Sequence, residues 1–198
     1  MNWLAHLRLA PQPPQPPLLR LGNLAGDFVR GIDINTLHPD LRRGVQMHRA
    51  IDRFVDAHAA VVRARQRLQP PFRRFAGVLV DVWFDHYLAR DWPQHGDGGL
   101  LAGFLDAVHA DLHDHRELLP PRLQQVLPRF STEGWLAGYA TIAGIERVLG
   151  LMGQRLARAT PLAQGAEPLR EHYGALGDDF AALWPELVAF AQAGAGTH

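Results

Sequence analysis

Residues 39–68 read PDLRRGVQMHRAIDRFVDAHAAVVRARQRL, and this stretch decides the fold class. Its apolar residues recur every three or four positions, which is the period of an α-helix with one buried face. The pattern predicts one long helix from Pro39 to about Leu68, ended by Pro70-Pro71. The face that we expect to be buried carries Leu41, Val45, His48, Ile51, Asp52, Val55 and Ala59.

The rest of the chain also reads as helices that are separated by proline and glycine. A short helix is predicted over residues 2–9, capped by Asn2, and a second helix is predicted from Leu18 to Arg30. There is no internal repeat and no alternating strand pattern of useful length. Further helices are predicted over residues 72–92, 99–118, 120–130, 141–158 and 168–193, the last kinked or divided near Gly177 or Pro185.

The length and composition limit the class of protein. A chain of 198 residues predicts a single compact all-α domain over residues 1–198, with site motifs in 1–92 and supporting helices in 99–193. The absence of cysteine excludes disulfides, thiolate metal sites and thiol nucleophiles, and it suits a reducing cytoplasm. The N-terminal residues do not resemble a secretory signal, and no apolar run is long enough for a membrane span. We therefore expect a cytoplasmic protein without a membrane anchor.

The charges are unevenly distributed, although the formal net charge is zero. Between residues 42 and 74 the only acidic residues are Asp52 and Asp56. A cationic surface of this kind raises the rate of encounter with an acidic partner or a phosphate group. The arginines of this stretch are Arg42, Arg43, Arg49, Arg53, Arg63, Arg65, Arg67, Arg73 and Arg74.

Four segments combine ionisable residues with apolar helical patterning. Residues four apart stack on one helix face, so His48 and Asp52 form one pair and Asp81 and Asp85 form another. A carboxylate buried among the apolar neighbours of Asp85 needs a cation, hydrogen-bond donors or a metal. Mixed imidazole and carboxylate ligands suit Mn²⁺, Mg²⁺ or Fe²⁺. The residues concerned are His6, Asp27, His48, Asp52, Asp81, Asp85 and His86.

Each of these residues also has a structural interpretation. His6 alone is more often a packing histidine than a ligand. Asp27 could cap a helix or pair with Arg30, and Asp52 could form a salt bridge with Arg49 or Arg53. His86 lies about 100° around its helix from Asp85, so it either reaches the site from the side or points away from it.

A second histidine cluster lies on a predicted helix in the second half of the chain. Asp106, His109 and His113 share one stripe of that helix, which in isolation resembles a zinc-binding surface. The stretch lacks the dense apolar context of the first cluster. We therefore interpret it as a solvated polar face.

The order and spacing of the first four motifs resemble those of the acyl carrier protein phosphodiesterase family. The resemblance is dense over residues 1–92 and looser afterwards. It also implies a distant relation to the HD-domain phosphohydrolases, although an adjacent His-Asp dyad is replaced here by Asp85-His86 and the spaced pair His48/Asp52. The motifs are Asn2-Trp3-Leu4-Ala5-His6-Leu7, Gly22-Asn23-Leu24 with Asp27-Phe28, Met47-His48-Arg49 with Ile51-Asp52, and Asp81 with Asp85-His86.

The resemblance implies a metal-dependent hydrolase of lipid metabolism, usually with Mn²⁺, that removes the 4′-phosphopantetheine arm from holo-acyl carrier protein. The expected metal ligands are Asp27, His48 and Asp52, with His6 as a fourth. Asp85 and His86 are expected to complete the shell, to orient a ligand or to act as general acid or base.

The resemblance also implies residues that bind the substrate. Arg30 and Arg49 are candidates for the phosphate, because a guanidinium binds it through two hydrogen bonds. Asn23 is a further candidate, and the arginine-rich stretch, including Arg42, Arg43, Arg53, Arg63, Arg65 and Arg67, is a predicted dock for the acidic carrier protein.

Two other functions fit part of the sequence. A nucleotide phosphohydrolase would use the same metal site on a different substrate. A helical module that binds nucleic acid through its arginines would leave the buried carboxylates unexplained, so no nucleic-acid partner is expected.

Overall fold

The computed structural model describes residues 2–96, 98–132, 135–154 and 159–195, and all regular structure in these ranges is helical. The all-α prediction is thus confirmed. Short 3₁₀ turns cover Gly26–Phe28, Ile34–Thr36, Arg73–Phe75, Arg116–Leu118 and Pro161–Gln164. The α-helices are α1 (Trp3–Leu9), α2 (Pro17–Ala25), α3 (Pro39–Ala57), α4 (Ala59–Gln66), α5 (Ala76–Arg90), α6 (Trp92–His95), α7 (Leu101–Asp114), α8 (Pro121–Thr132), α9 (Trp135–Gly138), α10 (Ile142–Gln154), α11 (Ala166–Glu171) and α12 (Tyr173–Ala195).

The helices enclose one hydrophobic cluster that extends from Leu4 in α1 to Ala191 in α12. Helix α5 contributes its largest side chains, and Trp83, Phe84 and Tyr87 are fully buried. Burying each such side chain contributes roughly 2–3 kcal/mol. None of the helices in the described ranges has the length and hydropathy needed to cross a membrane.

Helices α2 and α3 cross with their backbones in contact, because both carry a glycine at the crossing. A Cβ on Gly22 would lie 2.3 Å from the carbonyl oxygen of Leu41, and a Cβ on Gly44 would lie 2.2 Å from that of Leu19. Any side chain at either position would therefore push the helices apart. The close crossing places the end of α2 directly against the middle of α3.

The predicted helix over residues 39–68 is divided into α3 and α4. The break falls at His58, whose backbone is extended (φ −72°, ψ 133°) and whose ring accepts a hydrogen bond from the backbone N–H of Ala60. His58 thus caps the start of α4. The predicted helix over residues 18–30 also stops early, at Ala25, and continues only as a 3₁₀ turn.

Two further boundaries differ from the predictions. The C-terminal helical segment divides at His172, and not near Gly177 or Pro185, both of which lie inside α12. The helix predicted over residues 141–158 corresponds to α10, which is described to Gln154; residues 155–158 lie outside the described residues.

The N-terminus of α1 is capped by a residue from a distant helix. Asn2 makes no side-chain capping bond, because its amide Nδ2 donates to the hydroxyl of Tyr139 at 2.7 Å. Instead, the two carboxylate oxygens of Asp85 in α5 accept hydrogen bonds from the backbone N–H groups of Leu4 (2.8 Å) and Ala5 (3.2 Å). The first turn of α1 is therefore fixed to α5.

Candidate metal centre

His6 is a fully buried histidine whose ring is fixed by Asn23. The Nδ1 of His6 lies 3.0 Å from Oδ1 of Asn23, and Nδ2 of Asn23 donates to the backbone carbonyl of His6 at 2.8 Å. With its amide nitrogen engaged in this way, Asn23 presents an acceptor to the ring, so Nδ1 of His6 carries the proton. The lone pair on Nε2 of His6 is then free to bind a cation.

His48 is oriented in the same way by the backbone of the same residue. Its Nδ1 lies 2.8 Å from the carbonyl oxygen of Asn23, so Nδ1 is the donor and Nε2 points away from α2. The two imidazole rings stack, with their centroids 4.0 Å apart and an angle of 23° between their planes. A Cβ on Gly26 would lie 2.1 Å from the His48 ring, so only glycine at position 26 leaves room for it.

Two carboxylates converge on the Nε2 atoms. Asp52 places Oδ1 at 3.2 Å from Nε2 of His6 and Oδ2 at 3.0 Å from Nε2 of His48. Asp27, in the 3₁₀ turn after α2, places Oδ1 at 3.5 Å from Nε2 of His48. The indole Nε1–H of Trp3 donates to the other oxygen of Asp27 at 2.9 Å. Helices α1 and α3 and the 3₁₀ turn after α2 thus all contribute to one cluster of imidazoles and carboxylates.

The charges of the cluster follow from burial and from these contacts. Burial lowers the pKa of His6, which favours its neutral ring. Burial also opposes the charged form of His48, but the carboxylates of Asp27 and Asp52 outweigh it and raise its pKa to about 9. Burial acts to raise the pKa of Asp27 and Asp52. The contact with His48 outweighs this effect and lowers the pKa of both carboxyl groups.

The arrangement fits a divalent cation. Nε2 of His6 is buried and has no hydrogen-bond partner, although the carboxylate of Asp52 lies within 3.2 Å. A neutral imidazole lone pair and a carboxylate oxygen are both acceptors, so they repel one another unless a cation lies between them. One ligand atom from each of His6, His48 and Asp52 lies within 4.8 Å of the others. The side chains of Asp27 and Asp52 are 50% and 39% exposed, which leaves the carboxylate side accessible to substrate and water.

Comparison with known proteins identifies the family. Residues 1–187 match the family model described as acyl carrier protein phosphodiesterase. The chain belongs to the acyl carrier protein phosphodiesterase family.

Individual relatives cover nearly the whole chain. The acyl carrier protein phosphodiesterase of Yersinia enterocolitica is 33% identical over 192 residues, which is 97% of this chain and 98% of the relative. Those of Serratia proteamaculans and Salmonella agona are 34% and 35% identical, and each covers 96% of the relative and at least 95% of this chain. No solved structure matches the chain significantly.

The structure brings together four of the residues that the family resemblance had singled out as ligands, namely His6, Asp27, His48 and Asp52. The alternative interpretations of Asp52 do not apply, because its described partners are the two histidines and neither Arg49 nor Arg53. Asn23 was expected to bind substrate. Its side chain is instead fully buried against His6, so it positions the His6 ring.

The expectation that Asp85 and His86 complete the shell does not agree with their contacts. Asp85 is fully buried and binds the first turn of α1, so it positions the helix that carries His6. His86 turns away: its Nδ1 donates to the carbonyl of Tyr139 at 2.7 Å, and its Nε2 lies 2.8 Å from the hydroxyl of Tyr173. Burial lowers the pKa of His86, which suits this neutral structural role.

Seven of the nine arginines of residues 42–74 form two groups. Arg63 and Arg67 both bind the buried carboxylate of Asp179 in α12, and Arg65 binds Asp56 at 2.6 Å. Arg43 pairs with Asp40, one turn earlier on α3, at 3.3 Å. These ion pairs weaken the predicted carrier-protein dock, because the charges of Arg43, Arg63, Arg65 and Arg67 are already partly neutralised.

Three other arginines of α3 lie to one side of Asp52. At 100° per residue, Arg42, Arg49 and Arg53 all lie about 60–100° around the helix from Asp52, whereas Arg43 lies about 180° away. We call these three residues the arginine stripe. Among the described residues the stripe forms no ion pair with an acidic side chain, and Arg49 and Arg53 are exposed. Arg30, three residues after Asp27, is also exposed.

The second histidine cluster does not form a comparable site. The side chain of His113 is 87% exposed and contacts Asp114. In the described part of the chain, the only group of His, Asp or Glu residues with ligand atoms close enough for a metal is that of His6, His48 and Asp52. Trp3 was not predicted as a site residue, although it lies in the first motif and binds Asp27.

Proposed function

We propose that this chain is a divalent-metal-dependent phosphodiesterase that removes the 4′-phosphopantetheine group from holo-acyl carrier protein and leaves the apo protein. The observation that carries the proposal is the pair of stacked histidines whose Nε2 atoms meet the carboxylate of Asp52. Its second support is membership of a family whose relatives carry the name acyl carrier protein phosphodiesterase.

We propose Mn²⁺ as the metal, with Mg²⁺ or Fe²⁺ as alternatives, because two imidazoles with two carboxylates suit a borderline divalent ion. His6 and His48 would hold it through Nε2, and Asp52 and Asp27 through their carboxylates. When bound, such an ion supplies positive charge for the phosphate oxygens and lowers the pKa of an attacking water. Asn23 would keep both rings in the tautomer that the ion requires.

The exposed arginines are proposed to bind the rest of the substrate. Arg49 lies one residue after His48 and Arg30 three residues after Asp27, so both follow proposed ligands closely in the chain, and both are exposed. A guanidinium there would bind the phosphate oxygens through two hydrogen bonds. Arg42 and Arg53 extend the stripe along α3, where they would attract an acidic carrier protein.

The finer parts of this interpretation stay predictions. The relation to the HD-domain phosphohydrolases rests on the His and Asp donors and the helical fold. A cytoplasmic location rests on the absence of cysteine and on the carrier-protein substrate. The nucleotide alternative shares every residue of the centre, so it is separated from the main proposal only by the substrate test.

The first test follows the mass of the carrier protein. Metal-stripped enzyme is incubated with holo-acyl carrier protein, with and without Mn²⁺, and the carrier is measured by mass spectrometry. We expect loss of the phosphopantetheine mass only with the metal, and no loss with His48→Ala or Asp52→Ala. Asp114→Ala is the matched control, because that side chain is 70% exposed at the end of α7.

The test separates the candidate functions. A carrier mass that never changes, with folded protein and any of the three metals, would contradict the proposed substrate. Hydrolysis of a nucleotide panel by the same preparation would then favour the nucleotide alternative. Carrier hydrolysis that persists in both ligand variants would contradict the proposed site.

A further inference from the structure

A cleft of about 340 Å³ opens beside the metal centre and shares Asp27 and Asp52 with it. Its volume lies in the range of small-molecule sites. Asp27 binds Trp3, which also lines the cleft. A ligand group in the cleft would therefore be directly adjacent to a group held at the metal centre.

The lining of the cleft combines apolar surface with hydrogen-bond acceptors. Trp3, Val78 and Met152 provide the apolar part. Asp56 and Asp81 add carboxylates, and Asp56 lies one helical turn beyond Asp52 on α3. Arg65 is the cation near them, with Nη2 at 2.6 Å from Asp56 and 4.0 Å from Asp81. Asp27 and Asp52 face His48 and the proposed ion. Among the remaining lining residues, two carboxylates accompany the one guanidinium, so that part of the cleft is acidic.

Gly77 keeps part of the cleft open. It is the second residue of α5. Packing does not require it, because a Cβ there would meet only Nη2 of Arg65, at 4.0 Å. Gly22 and Gly44 differ, since a Cβ on either would collide with the backbone of a neighbouring helix. The missing side chain at position 77 thus leaves space for a ligand.

We propose that this cleft binds the pantetheine arm of the substrate, an inference that rests on the proposed function. The arm is an uncharged chain with apolar methyl and methylene groups, two amide N–H donors and a hydroxyl. Its apolar groups match Trp3, Val78 and Met152, and its donors match the carboxylates of Asp56 and Asp81. A second phosphate or an acidic protein surface would be repelled from the same cleft.

The proposal also orients the substrate across the metal centre. Asp56 of the cleft lies one turn after Asp52 on α3, whereas Arg49 and Arg42 of the arginine stripe lie about one and three turns before it. The neutral arm therefore enters the cleft, the phosphate lies at the metal centre, and the acidic carrier protein faces the stripe. Discrimination between the two ester groups of the phosphate follows from this difference in charge.

The test introduces a larger side chain at position 77, which would occupy the cleft. Gly77→Leu is compared with Gly103→Leu, a matched control in the first turn of α7, where a Cβ would meet nothing within 4 Å. Gly77→Ala provides a smaller step at the same position. Two Mn²⁺-dependent reactions are followed: hydrolysis of a serine peptide that carries 4′-phosphopantetheine, and hydrolysis of methyl 4-nitrophenyl phosphate, which has no arm. Mn²⁺ affinity is measured by calorimetry on each protein.

We expect Gly77→Leu to lower kcat/KM for the pantetheine peptide about ten-fold or more, with a smaller loss for Gly77→Ala, because the arm and the new side chain compete for space. Hydrolysis of the small diester and Mn²⁺ affinity should stay within about two-fold of the wild type. Free pantetheine should inhibit hydrolysis of the peptide by the wild type and the control, and inhibit Gly77→Leu more weakly.

Two results overturn the inference. First, Gly77→Leu and Gly103→Leu could hydrolyse the pantetheine peptide with the same kcat/KM, which would mean that the arm lies elsewhere. Second, Gly77→Leu could lose both reactions and its Mn²⁺ affinity together, which would make the cleft part of the metal centre alone. Failure of the proposed function looks different, because wild-type protein would then remove phosphopantetheine neither from the peptide nor from holo-acyl carrier protein with any of the metals.

Discussion

Replacing Asn23 by alanine tests whether one buried amide positions a metal ligand. The change removes the acceptor for Nδ1–H of His6 and one of the donors to the carbonyl of His6. That carbonyl keeps the backbone N–H of Ala10 at 3.3 Å, so the main loss is the unpaired imidazole N–H. His48 is unaffected directly, because its partner is the backbone oxygen of Asn23.

The expected losses of stability and of metal affinity follow from these contacts. Leaving a buried donor unpaired and losing a second hydrogen bond costs about 2–4 kcal/mol of stability. For a chain of this size that corresponds to a fall in Tm of about 10 °C. Loss of a residue that orients a metal ligand typically weakens metal binding about 10–100-fold. We expect both effects in Asn23→Ala.

The assay combines thermal unfolding of the metal-free protein with calorimetric titration of Mn²⁺. Asn35→Ala is the control, because Asn35 is exposed and its side chain contacts only Asp33 in a surface turn. A double-mutant cycle with His6→Ala gives the sharper result. If Asn23 acts through His6, the Asn23→Ala change should cost no further metal affinity once His6 is gone.

Two outcomes would refute the reasoning. Asn23→Ala could have a lower Tm and yet bind Mn²⁺ with wild-type affinity, which would mean that the amide contributes only to packing. Alternatively, the metal affinity could fall by the same factor with and without His6, and the effect would then pass through another residue.

Three further predictions concern the surroundings of the centre. Gly26→Ala should weaken Mn²⁺ binding in calorimetry about ten-fold or more, because its Cβ would lie 2.1 Å from the His48 ring; unchanged affinity would contradict the packing described for that ring. Arg53→Glu should raise KM for the carrier protein about ten-fold at low salt, and Arg43→Glu, about 180° around α3 from Asp52 and paired with Asp40, should not; equal effects would refute the arginine stripe. Burial raises the pKa of Asp85 to about 7, so the folded state binds an extra proton from about pH 4 to 7 and loses stability as the pH rises through 7. Relative to the wild type, Asp85→Asn should therefore be more stable at pH 8 than at pH 4 by about 4 kcal/mol in urea unfolding, and an equal difference at both pH values would mean that Asp85 is ionised throughout.

Helical periodicity predicted the face of α3 well. Leu41, Val45, Ile51 and Val55 are all buried, and the four-residue spacing of His48 and Asp52 brings Nε2 and Oδ2 within 3.0 Å. These positions depend only on the local geometry of a helix, so the sequence is sufficient to place them.

Features that depend on capping or on distant contacts were not predictable from periodicity. The break at His58 has no proline or glycine at the break itself, and the apolar pattern continues across it; the capping contact of the His58 ring is visible only in the structure. Asp85 was expected to need donors or a metal, and its donors prove to be backbone N–H groups 80 and 81 residues away. A periodic pattern carries no information on such a partner.

The proposed metal centre depends on the crossing of α2 and α3 as much as on the residues proposed as its ligands. Asn23 can serve both histidines only because its side chain faces α1 while its backbone oxygen reaches His48 on α3. That reach requires the backbone contact allowed by Gly22 and Gly44, where any Cβ would lie within 2.3 Å of a carbonyl oxygen. A longer separation would leave Nδ1 of His48 without its partner, and the ring could then present either nitrogen to the cluster. The two glycines therefore fix the tautomer of a ligand that they do not touch, and helix packing is part of the chemistry of the site.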